Sequence, residues 1–160
     1  MEAIHFRLAT NSDRNVIIEL VKSSLTEFNL TYSPESSDRD LQDIEMSYMH
    51  NGGTFEVLEN EASEIIGTIA LLKIDNTICK LRKMYVRKNE RGKGLGSRLL
   101  TRIIEKARQS GFSQIILETE HSMKAAINLY KKFGFSAIAS QAVSPRCDIV
   151  MKLDLLCEKK

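Results

Sequence analysis

Three glycines set two residues apart, Gly92, Gly94 and Gly96, stand among Arg91, Lys93 and Arg98 in the segment Met84 to Leu99. Glycine lacks Cβ and reaches φ > 0, so such a run can point successive backbone N–H groups into one concavity. An apolar helical pattern follows at once, and a helix N-terminus adds free N–H groups and the positive end of its dipole. The chemistry this favours is binding of a phosphorylated ligand. A P-loop is excluded because Lys93 sits among the glycines with no Ser or Thr after it. The dinucleotide fingerprint is excluded too, because only Leu95 separates Gly94 from Gly96.

The elements that must position this turn follow from periodicity. Ile4 to Leu8 alternates as a short strand, and Thr10, Ser12 and Asp13 offer N-caps to a helix whose Val16, Ile17, Leu20, Val21 and Leu25 share a face. Ser33-Pro34 opens a second helical region that Asn51-Gly52-Gly53 stops. Thr54–Glu59, Glu64–Ile74 and Ile78–Arg87 read as an antiparallel meander whose last strand runs into the glycine turn. In that strand Cys79, Leu81 and Lys83 occupy one parity while Met84 and Val86 continue the apolar pattern on the other, which a β-bulge near Arg82-Lys83 reconciles.

Beyond the turn, Leu95, Leu99, Leu100, Ile103, Ile104 and Ala107 form a core stripe ending at Gly111. Phe112–Thr119 is then a buried strand parallel to the fourth, since the helix between them is a crossover. Met123–Phe133 reads as a helix broken by Gly134, and Phe135–Gln141 and Cys147–Leu153 as a closing antiparallel pair.

The run Arg91-Gly92-Lys93-Gly94-Leu95-Gly96 resembles the pyrophosphate-binding Arg-x-x-Gly-x-Gly motif of the GNAT superfamily of acyl-CoA-dependent N-acetyltransferases. Further on, Leu129-Tyr130-Lys131-Lys132-Phe133-Gly134-Phe135 resembles that family's Leu-Tyr-x-x-x-Gly-Phe segment. The resemblance implies an α/β (α+β) fold: one domain over residues 1–160, its mixed, mostly antiparallel sheet of about seven strands flanked by about four helices. Its fourth and fifth strands are parallel and splay apart. It also implies acetyl-CoA as cosubstrate, without a metal, and a primary amine of a small molecule, amino acid or peptide as acceptor.

By resemblance, Met84, Tyr85 and Val86 offer main-chain groups to the pantetheine arm, with Val86 N–H as oxyanion donor. Arg91, Gly92, Lys93, Gly94, Leu95, Gly96 and Ser97 hold the pyrophosphate, and Asn128 contacts the pantetheine or phosphate region. Tyr130 protonates the departing thiolate, or is a packed tyrosine. Glu118, at the end of the fifth strand, is the candidate base, or a strand-end carboxylate bound to backbone or a basic neighbour. A base matters unequally: freeing an α-amine of pKa about 8 costs about 1.4 kcal/mol at pH 7, a lysine-type amine of about 10.4 about 4.6. Two departures bear on the acceptor, because Lys80 stands where relatives commonly place a glutamate and Met123 where an asparagine is frequent. His5, His50 and His121 are minor candidates.

Composition bounds the rest. A chain of 160 residues suits one core, and 23 basic against 21 acidic residues leave a net charge of +2, with no global pull toward nucleic acid or membrane. Locally, Lys80, Arg82, Lys83, Arg87, Lys88, Arg91, Lys93 and Arg98 crowd one segment, where a polyphosphate accounts for part of them. Cys79, Cys147 and Cys157 have neither disulfide-framework nor zinc spacing, and no run approaches the roughly 18 apolar residues of a membrane span. These features read as a cytoplasmic protein, monomer or homodimer. The alternative function is a catalytically weak acyl-CoA-binding or sensing module.

Overall fold

The computed structural model describes residues 3–155; Cys157 lies outside them. The strands are β1 (His5–Leu8), β2 (Thr54–Glu59), β3 (Ile65–Lys73), β4 (Ile78–Val86), β5 (Gln114–Thr119), β6 (Ser136–Ile138) and β7 (Ile149–Asp154). The helices are α1 (Arg14–Thr26), α2 (Ile44–Ser47), α3 (Leu95–Gln109) and α4 (Lys124–Lys132). One seven-stranded sheet runs in the order β1-β2-β3-β4-β5-β7-β6, with β4 and β5 parallel and every other pair antiparallel.

Each face of the sheet buries an apolar stripe. Leu95, Leu99, Leu100, Ile103, Ile104 and Ala107 of α3 pack with Leu58, Ile66, Leu81, Ile115 and Met151, and Tyr130 of α4 joins this core. Ile17, Leu20, Val21 and Leu25 of α1 pack on the other face with Tyr48, Phe55 and Val57. Val16, expected on that stripe, is 47% exposed and lies outside it. The region after Pro34 is not one helix but a series of short turns around α2, ended at Gly52 with φ 86°. Its Asp38 is fully buried.

Two irregularities open the sheet. Thr68 pairs with Tyr85 and Ala70 with Arg82, so Ile69 faces both Lys83 and Met84, the two-against-one count of a β-bulge. Lys83 takes φ 52°, and its carbonyl accepts from Thr68 Oγ1 at 2.7 Å. The parallel pairing of β4 with β5 stops at Lys80 and Ile116, after which the strands diverge while β5 stays paired with β7 throughout. β6 is shorter than expected because the chain leaves the sheet after Ile138 and crosses the mouth of this opening. Cys79 and Cys147 are free thiols.

Candidate active site

The glycine turn leads from β4 into α3. Gly92 and Gly94 both have φ 79°, and a Cβ placed on either meets nothing within 4 Å, so open space lies above the turn. Gly94 is the N-cap of α3, and the first helical bond runs from Arg98 N–H to its carbonyl (3.2 Å). The N–H groups of Leu95, Gly96 and Ser97 therefore have no helical acceptor and face the same space. A pyrophosphate fits this cradle. Gly96 has another purpose: a Cβ there would come within 2.9 Å of Leu129 Cδ2, so it lets α3 approach α4.

The flanking charges are engaged. Arg91 donates through Nε to Val86 O (3.0 Å) and through Nη1 to Glu27 (2.6 Å), tying the turn to the end of α1, and Lys93 pairs with Glu90 at 2.9 Å. From the cradle a cleft of about 390 Å³ runs along β4, lined by Met84, Tyr85 and Val86, by Arg91, Gly92, Gly94, Leu95 and Gly96, by Ser24 and Phe28, and by Ser122 to Ala126 with Leu129. Lys93 and the side chains of Ser97 and Asn128 are not among its lining; Ser97 faces an outer groove beside Phe6, and Asn128 is exposed.

Val86 is oriented by the strand register. Arg87 N–H donates to Ile66 O at 2.8 Å, so Val86, one residue back, sits in a non-hydrogen-bonded pair with Gly67. Its N–H and C=O then point away from β3, toward the side where β5 has diverged.

A second cavity, about 100 Å³, continues from the cleft and shares Met84, Tyr85 and Met123 with it. Lys80, Glu118, Tyr130, Ser144, Arg146 and Cys147 also line it. Tyr130 is 7% exposed and tilted against Phe135 with ring centroids 5.8 Å apart. Burial pushes its phenol well above the ordinary tyrosine range and that of Tyr85 up to about 12, so both stay protonated.

Glu118 is committed on both oxygens. Ser144 N–H donates to Oε1 at 2.8 Å, Val143 N–H to Oε2 at 2.9 Å, and Lys80 Nζ lies 2.9 Å from Oε2. Burial alone would raise this carboxyl, but those donors outweigh it and hold it below the usual range. Lys80 accordingly faces Glu118 across the opening. His121, which is exposed, binds Asp148 through Nδ1 at 2.6 Å.

Arg82 and Lys83 are directed away from the cradle, so they fall outside the part of the basic cluster that a polyphosphate accounts for. Lys83 Nζ reaches Asp38 (2.9 Å) and Asp40 (3.2 Å), and Arg82 donates to Ser37 O (2.6 Å). Arg146 clasps Asp38 with two bonds, and Ser37 Oγ meets Ser144 Oγ at 2.9 Å. Burial works to raise Asp38, yet Arg146 and Lys83 hold it well below the carboxylate range. Asp38, Asp40 and Arg146 escape a reading of the sequence because Ser-Ser-Asp-Arg-Asp looks like a solvated loop and their partners are remote in the chain.

The parallel, splayed β4–β5 pair with a glycine cradle at its end defines the acetyltransferase (GNAT) family, whose model matches residues 17–135; the chain belongs to that family and is thus an acyltransferase. An uncharacterized N-acetyltransferase of Escherichia coli (strain K12), YjgM, is 32% identical over 137 residues, covering 82% of this chain and 81% of the relative. A GNAT-family acetyltransferase from Staphylococcus aureus Mu50 superposes with a TM-score of 0.89 at 28% identity, covering 96% of this chain and 99% of its own. The Salmonella typhimurium protein yncA, solved with its cofactor acetyl-CoA, shares the fold at a TM-score of 0.77 and 22% identity, covering 99% and 97% of the two chains. Among the described residues no helix is long and apolar enough to cross a membrane.

Proposed function

We propose that the protein transfers the acetyl group of acetyl-CoA to a primary amine by direct attack on the thioester. The observation that carries this reading is the meeting of two cavities at Met84, Tyr85 and Met123, one leading to the glycine cradle and the other to Tyr130. The acetyl-CoA bound by the Salmonella relative supports the choice of donor. When bound, acetyl-CoA supplies an activated acyl carbon. Gly92, Gly94 and the end of α3 hold its pyrophosphate, the inner edge of β4 directs the arm, Val86 N–H faces the carbonyl oxygen where charge develops, and Tyr130 gives a proton to the departing sulfur.

Glu118 serves in this reading as an anchor for residues 143–144 rather than as the base. With Lys80 and Glu118 paired, the amine must arrive neutral, which favours α-amines of small molecules, amino acids or peptides over lysine-type amines. A catalytically weak acyl-CoA-binding module is the second reading, favoured by the engagement of Glu118, the candidate base, with Lys80 and the amides of Val143 and Ser144. A panel of amines, assayed by release of free thiol from acetyl-CoA, separates the two: turnover with an α-amine supports the enzyme, whereas tight binding without turnover supports the module.

A further inference from the structure

Helix α1 ends with three hydroxyl side chains that meet different fates. Ser23 Oγ donates to Leu20 O at 3.0 Å and Thr26 Oγ1 to Lys22 O at 2.9 Å, the usual bonds back to the preceding turn. Ser24 is 3% exposed, and its Oγ has no hydrogen-bond partner among the described residues. A buried hydroxyl without a partner costs stability that a methyl group would not, so it calls for an explanation outside the fold.

Position supplies one. Ser24 lines the larger cleft beside Met84, Tyr85 and Val86, while the next residue, Leu25, lines the smaller cavity. Neighbouring residues of α1 therefore stand on either side of the place where the two cavities join. An acyl thioester lying along β4, with its acyl carbon open to an amine from the smaller cavity, has to present its carbonyl at that junction. We propose that Ser24 donates its hydroxyl hydrogen to the thioester carbonyl oxygen of the acyl donor, as a second donor beside Val86 N–H; the inference rests on the acetyl-CoA reading above.

The step balances without consuming the serine. The amine nitrogen bonds to the acyl carbon and the carbonyl π pair moves onto oxygen. That pair then returns as the C–S bond breaks, sulfur leaves with its electron pair and takes a proton from Tyr130, and the proton that the nitrogen releases returns through solvent to restore the Tyr130 phenol. Ser24 keeps its proton throughout; its hydrogen bond strengthens as charge gathers on the oxygen.

The test compares Ser24→Ala with the wild-type chain, using Ser23→Ala as the control. Thermal unfolding without ligand should show Ser24→Ala as stable as wild type or more so. Calorimetric titration should show acetyl-CoA bound about 3- to 10-fold more weakly, the effect of one lost hydrogen bond, with CoA affinity unchanged. Turnover should fall about 10²-fold, as for loss of an oxyanion donor. Unchanged discrimination between acetyl-CoA and CoA overturns the proposal, as does a lower melting temperature with both ligands weakened alike, which marks a packing role. If wild type binds neither ligand, the acetyl-CoA reading fails first and Ser24 falls with it.

Discussion

Asp38 and Arg146, 108 positions apart in the chain, are joined by two parallel bonds: Nη1 to Oδ2 at 2.7 Å and Nη2 to Oδ1 at 2.8 Å. The pair closes the loop before α2 against the loop between β6 and β7, over the smaller cavity. Asp38→Asn would leave Lys83, its side chain 2% exposed, without its full countercharge and should cost about 3–5 kcal/mol by urea unfolding. Because the folded pKa of Asp38 is depressed, its stabilisation is present above the unfolded value of about 3.9 and is lost as pH falls toward the folded one. Wild type should therefore weaken more steeply below about pH 4 than the variant.

Gly94→Val places a β-branched side chain at φ 79° and fills the space above the cradle. Strain at this position should cost about 1–3 kcal/mol, and acetyl-CoA affinity should fall more than about tenfold in calorimetry of the folded variant. Unchanged affinity would remove the phosphate from this turn.

Tyr130→Phe deletes one hydroxyl from the smaller cavity. Turnover should drop by about 10²-fold while the dissociation constant for acetyl-CoA stays within about twofold, since proton donation to sulfur acts only as the bond breaks. The phenol is held protonated by burial, so the wild-type profile should show no alkaline limb from Tyr130 between pH 6 and 9. Full turnover in the variant, with chemistry shown to limit the rate, would return Tyr130 to packing.

Glu118 has a depressed folded pKa, so its contribution to stability is complete above the unfolded value of about 4.3 and is lost only as pH falls through the folded one. It is ionised throughout an assay range of pH 6 to 9. Glu118→Gln should lower turnover through the loosened 143–144 segment without changing the shape of the pH–rate profile, which should instead follow the pKa of the amine offered. A new acidic limb that wild type shows and the variant lacks would make Glu118 the base after all.

Which features are readable from the sequence depends on how far apart the cooperating residues lie. Helix α3 is legible because its six core positions repeat at helical spacing within one segment, and the cradle because its glycines are contiguous with that helix. The bulge is legible as a parity break between Lys83 and Met84, although that break says nothing of where the lysine goes. Asp38 shows the opposite case: its environment is made by residues 83 and 146, and nothing local distinguishes it from a surface aspartate. β6 is cut short for the same reason, because Glu118 draws the backbone of Val143 and Ser144 off the sheet. Ser24 is hidden by its neighbour, since two adjacent serines on one helix look alike until their partners are known.

The extra residue in β4 acts as a phase shift. Up to Arg82 the strand counts in step with β3, and from Met84 onward it counts one out of step, so every later side chain and amide is delivered to the side opposite its natural alternation. Pairing the same sequence without the bulge would set Val86 opposite Ile66, in a hydrogen-bonded pair, and, with no change in the chemistry of any side chain, turn its amide back toward β3. Column-by-column identity is blind to such a change. The fingerprint to follow in this chain's relatives is thus an odd-numbered interval: whether the residue opposite Ile69 is counted once or twice.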